Sequence, residues 1–130
     1  MVEFPDPEKL ICSYLPGALA ATGEAVGQGV LVDIAIPNPR RPRMSIVEAD
    51  GGKLLMVVLK SARVRIRSFA NSETEANDLA SLVEGVLPGI VGEHVNQVRP
   101  SGLAVHFPDP SEQFGRLQWF DFILIGTDKE

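Results

Sequence analysis

Between Ala62 and Phe69 the chain reads ARVRIRSF, and this strict alternation constrains the fold more than any other segment. Arg63, Arg65 and Arg67 fall on one side of an extended backbone, with Val64, Ile66 and Ser68 on the other. A period of two belongs to a strand whose one face meets a core and whose other face meets water, because successive strand side chains point to opposite faces. The buried side then needs a layer to pack against it.

Candidate layers lie on both sides of this strand in sequence. Ser72-Glu73-Thr74-Glu75 is a capping box, in which Ser72 accepts from the Glu75 amide, and Ala76, Leu79, Ala80, Val83 and Leu87 follow at helical spacing until Pro88 and Gly89. Near the start, Asp6 and Pro7 form an N-cap and a first helical residue, followed by Leu10, Ile11, Tyr14 and Leu15. Pro16 and Gly17 predict a kink or break near Leu15, since an interior proline removes a hydrogen bond and clashes with the preceding turn.

The remaining segments read as strands. Val30, Val32, Ile34 and Ile36 alternate with Leu31, Asp33 and Ala35, and a second strand carries Met44, Ile46 and Val47. Ala49-Asp50-Gly51-Gly52 predicts a turn closing a hairpin, so three strands in succession predict a meander. Leu54 to Leu59, LLMVVL, is a continuous apolar run; burial as a strand completing the sheet is the favoured reading, and the alternative is an apolar arm offered to a partner. A looser segment through Val95 and Val98 leads to a strand at Leu103–Phe107, a break at Pro108-Asp109-Pro110 and a final strand from Leu117 to Ile125. The order predicts a single α+β domain over 1–130, a mainly antiparallel sheet of about four to five strands with two helices packed on one face, its strand order open.

Hydrophobic residues at 45% and charged residues at 22% belong to a folding globular chain, and 130 residues suffice for a core without metal or disulfide. The net charge of -5 argues against gripping nucleic acid through the bulk field. Cys12 is the sole cysteine, which excludes an internal disulfide and fits a reducing compartment. The N-terminus has no secretory pattern and no apolar run is long enough to span a bilayer, so synthesis in the cytoplasm and no membrane partner are expected.

Catalytic patterns are thin. His94 and His106 lack the spacing that would set two ligands on one metal, and Gly27-Gln28-Gly29 lacks the rest of a dinucleotide fingerprint. No serine lies in a nucleophile elbow, and the acid pairs Asp6 with Glu8 and Asp109 with Glu112 flank proline turns suited to capping. The expectation is no enzyme, no catalytic or metal site and no cofactor.

Six of the eight arginines sit in two short segments: Arg40, Arg41 and Arg43, stiffened by Pro37, Pro39 and Pro42, and the Arg63, Arg65, Arg67 trio. Guanidinium forks pair well with carboxylates at protein contacts, which makes these six, with Leu54, Leu55, Met56 and Asp109, the candidate subunit or partner interface. The rival reading of the trio is a solvated face paired with acids on neighbouring strands, Glu48, Asp33 or Asp121. A DNA stripe is disfavoured because the sequence interleaves no aromatics among these arginines.

Four segments in order, FPDPEKLICSYL (Phe4 to Leu15), IPNPRRPRMSIVEADGG (Ile36 to Gly52), VRIRSFANSETEANDLASLVEGVL (Val64 to Leu87) and FPDPSEQFGRLQWFDFILI (Phe107 to Ile125), give the chain a resemblance to the tail terminator proteins of long-tailed bacteriophages, particularly those infecting actinobacteria. The resemblance implies a non-enzymatic virion protein at the head–tail interface. It implies a homo-oligomeric ring, typically a hexamer, that stops tail-tube growth on the major tail-tube protein and docks a head-completion protein on its other side. DNA would touch it only in transit through the channel. Partner surfaces are then expected in Asp50 to Lys60 and Phe107 to Arg116. The chain departs from the family at Leu15-Pro16-Gly17, where members continue the helix, and at Leu54 to Leu59, where they carry polar or basic residues. Other readings are a head-closure or adaptor protein of the head–tail connector and a small ferredoxin-like ligand-sensing domain.

Overall fold

A computed structural model describes residues 1–107, 111 and 113–129. In chain order its elements are β1 (Val2–Glu3), α1 (Pro7–Ala21), β2 (Leu31–Asp33), β3 (Met44–Met56), β4 (Leu59–Ala70), α2 (Glu73–Val86), β5 (Val95–Pro100), β6 (Val105–Phe107), β7 (Phe114–Ile125) and β8 (Thr127–Asp128). Short 310 turns occupy Ala25–Gly27 and Leu87–Ile90. The fold is α+β. Its main sheet has six strands in the order β2-β3-β4-β7-β5, with β6 also paired to β7, and β1 with β8 forms a separate two-stranded ribbon.

The alternating segment is the centre of the sheet. β4 pairs antiparallel with β3 on one side and, over its whole length from Leu59↔Ile125 to Ala70↔Phe114, with β7 on the other. Val64, Ile66 and Ser68 are fully buried under the helices, where Ser45 and Ser68 hydroxyls bond each other at 3.0 Å. Leu79, Val83 and Leu87 from the α2 side and Ile11, Leu15 and Leu19 of α1 complete this core with Phe120, Phe122 and Leu124 of β7. Ser72 caps α2 by accepting from the Glu75 amide at 3.1 Å, and Asp6 caps α1 through the Glu8 amide at 3.0 Å.

Four expectations are corrected. Helix α1 runs unbroken through Pro16 to Ala21. Interior proline costs about 3 kcal/mol, but Leu15 and Leu19, fully buried on either side of it, each return about 1.5–3 kcal/mol by leaving water. The second correction concerns β2, which stops at Asp33, whose carboxylate accepts from the Ile34 amide at 2.7 Å, and which runs parallel to β3. Parallel neighbours need a crossover, and residues 34–43 supply it, so there is no meander at this edge.

Third, the hairpin of β3 and β4 turns at Val57-Val58, with Met56 opposite Leu59. The glycine pair at Gly51-Gly52, expected to be that turn, is a bulge: Ala49 faces Val64 and Gly52 faces Ala62, one extra residue on β3. Leu54, Leu55, Met56, Val57 and Val58 are consequently exposed, which overturns their favoured reading as a buried strand. A continuous apolar run has no period from which a face could be read. Fourth, the sheet exceeds the expected strand count because Val95–Pro100, read as a loose connection, pairs with β7; an irregularity between Val95 and Gln97 interrupts its alternation.

Two features of the second sheet face position the candidate site. Met44, Ile46 and Phe69 form a small buried cluster there, with Leu31 and Ile36 packed against it. The proline–arginine corner folds over that cluster: the Arg40 guanidinium lies 5.4 Å from the Phe69 ring centre, and the Asn38–Pro39 peptide is cis. At the β3 edge, β2 covers only Met44 to Ile46, and beyond it the Ala49 amide donates to the Glu8 carboxylate at 3.0 Å.

Candidate interaction surfaces

The predicted interface residues separate into three places. The first is the corner. Arg40 donates to Ser111 Oγ at 3.0 Å and Gln113 Oε1 at 3.3 Å, while Gln113 returns a bond to the Arg41 carbonyl at 2.7 Å. Arg43 reaches toward the helices, bridging Glu75 at 3.2 Å and donating to the Gln28 carbonyl at 2.9 Å. Arg40 and Arg43 thus hold the corner to its own chain, and of the three only Arg41 is exposed. Asp109 lies outside the described residues.

The second place is the sheet face away from the helices. Arg65 and Arg67 both clasp Glu48, at 2.5 Å and 2.7 Å. Asp33 and Asp121, the other acids expected opposite the trio, make no ion pair with it; Asp121 pairs in register with Arg63. Trp119 of β7 fills the middle, with the Arg63 guanidinium 5.0 Å and the Arg65 guanidinium 5.7 Å from its ring centre. No aromatic is interleaved among these arginines in the sequence because Trp119 comes from a strand more than fifty residues away, brought in by the Arg65↔Trp119 register. Cation–π stacking of this kind adds about 0.5–1 kcal/mol at exposed sites.

The hydrogen bond from Arg65 is the main cause holding the Glu48 carboxyl below the usual glutamate range; partial burial opposes it, and the Arg65 and Arg67 charges add to it. A carboxylate whose pKa is lowered by folding contributes stability above its unfolded value, about 4.3, and that contribution disappears as pH falls through the folded value. Glu48→Gln is therefore expected to be less stable than the parent at neutral pH, and the two should converge in acid. Chemical denaturation across pH reads this directly; a gap that stays constant into strong acid would contradict it.

The third place is the hairpin tip. Val57 is 75% exposed and Leu54 63%, and together with Leu55, Met56 and Val58 they form an uninterrupted apolar end to the β3–β4 arm. Three further apolar side chains are exposed singly along β7: Leu103, at 88%, and Val105, which stands opposite Leu117, on the β6 edge, and Phe114, opposite Ala70, at the other end of the β4–β7 ladder. The strand expected over Leu103–Phe107 begins only at Val105, leaving Leu103 outside it. A ladder of this length measures about 35–40 Å.

Groups suited to chemistry stay apart. His94 and His106 are both exposed, on different strands' approaches to β7, and no group of three His, Cys, Asp or Glu that could hold a metal occurs among the described residues. Burial, reinforced by the nearby Asp33, Glu8 and Asp6 carboxylates, pushes the Cys12 thiol up, so it stays protonated and weakly nucleophilic at neutral pH. Among the described residues no helix is long and apolar enough to cross a membrane. No family model and no curated protein matches the chain.

Proposed function

We propose that this chain is a tail terminator of a long-tailed bacteriophage, a structural virion protein that forms a ring, typically of six copies in the family it resembles. The ring sits on the last layer of tail-tube subunits, stops their polymerisation and presents its opposite side to a head-completion protein. The observation that carries the reading is the exposed apolar tip of the β3–β4 arm, Leu54–Val58, at one end of the β4–β7 ladder. Exposed apolar patches on a folded chain mark sites of association, and a ring seated on a tube end needs such a contact. The net charge of -5 suits a conduit through which DNA must slide, since an arginine-lined channel would hold it by counterion release.

Assembly of tails in cells lacking the protein tests the role. Tails of irregular, extended length are expected; tails of normal fixed length would overturn it. A second expectation concerns the arm. Leu54→Asp with Met56→Asp should leave the fold intact, because both side chains are already in water, yet abolish binding to purified tube ends by negative-stain imaging. Binding at parental occupancy would remove the arm from the tube contact.

A further inference from the structure

We infer that the bare Arg–Trp face of the sheet is where helix α2 of a second copy of this chain docks, so that neighbours in the ring meet helix to sheet. The inference deepens the ring reading above and rests on it for the identity of the partner.

The sheet already has helices on one face, and on the other the proline corner covers only the Met44, Ile46, Phe69 end. The middle of that second face is open and positively charged. Arg63, Arg65, Arg67 and Arg99 stand there against two carboxylates, Glu48 and Asp121, in a chain whose net charge is -5. Glu48 is taken by Arg65 and Arg67. Arg63 is exposed on the Trp119 ring and Arg99 is exposed on the far side of Asp121; neither makes an ion pair among the described residues. Covering this face without stranding charge requires about two incoming carboxylates.

Helix α2 supplies them. Its sequence, ETEANDLASLVEGV, has four acids and no base. Glu73 and Glu75 are occupied by Arg116 and Arg43, whereas Asp78 and Glu84 have no ion-pair partner among the described residues. At 3.6 residues per turn these two flank a solvent-facing line of short side chains, Thr74, Asn77, Ser81 and Gly85, which lets a flat sheet approach closely. The two surfaces differ, so their pairing is head-to-tail and generates a closed ring where the rotation permits.

Charge exchange tests it. Sedimentation of the parent from micromolar to millimolar concentration is compared with Arg63→Glu/Arg99→Glu, with Asp78→Arg/Glu84→Arg, and with an equal mixture of the two, each checked for an unchanged thermal unfolding transition. Each variant alone should associate about a hundredfold more weakly, and the mixture should recover, because each then offers the complement of the other on both faces. If the parent associates and the variants do so equally, or the mixture does not recover, the docking assignment falls and the ring stands. A parent that remains monomeric at millimolar concentration and on tube ends removes both. Salt-sensitive binding of a short single-stranded oligonucleotide, lost in Arg63→Glu/Arg99→Glu, would reassign the face to nucleic acid.

Discussion

Phe120→Ala is expected to destabilise the fold by about 3–5 kcal/mol. Phe120 is fully buried on β7, in register with Val64 of β4 on one side and Pro100 of β5 on the other, in the core that the sheet shares with the helices. Truncation forfeits the transfer energy of the ring and leaves a cavity at the junction of three strands, where the paired backbones limit collapse. Domains of this size are stable by about 5–15 kcal/mol, so the loss is a large share of the total. Urea unfolding should show a lower midpoint with an unchanged slope; a loss under about 1 kcal/mol would mean that Phe120 is not central to the core.

Gly52→Ala is expected to disrupt the hairpin. Gly52 has φ +153 within the bulge, and a methyl group there would run into the Ser61 carbonyl oxygen and lie 2.9 Å from Ala62 Cα, both fixed backbone. Strain of this kind costs about 1–3 kcal/mol, and the collision must be relieved by opening the β3–β4 ladder between Ala49 and Leu54. Amide exchange in Lys53, Ser61 and Ala62 should accelerate while amides around Ile66 stay protected. Unchanged exchange at all three would contradict the bulge geometry. Under the proposed function, the same variant should misplace the apolar arm and lose tube-end binding.

The parts of the fold legible in the sequence were those with a period. The alternation at Arg63 to Ser68 and the capping box at Ser72 gave the central strand and α2 because both patterns are local and each has a single structural solution. The glycine pair misled because Gly51-Gly52 provides conformational freedom without saying whether the chain reverses or bulges; that is settled by which residues find partners on β4. Pro16 misled for a related reason, since the local penalty was visible and the burial of Leu15 and Leu19 that outweighs it was not. In the candidate surfaces, the arginines were identifiable as a wet face, and Glu48 was among the acids expected opposite them. Trp119 was hidden by sequence distance, and Arg40 and Arg43 proved to be engaged with their own chain, a matter of tertiary contact that no spacing encodes.

The Glu8 carboxylate on the Ala49 amide bears on how this molecule can grow. A strand edge with free amides is a template that any extended peptide can copy, and copying has no natural end point. Here the short β2 covers the first residues of β3, a charged side chain from α1 occupies the next exposed donor, and the Gly51-Gly52 bulge twists the ladder just beyond. Strand-by-strand addition is therefore opposed along Met44 to Gly52. Contacts with other chains along this stretch are left to faces and tips rather than to an added strand.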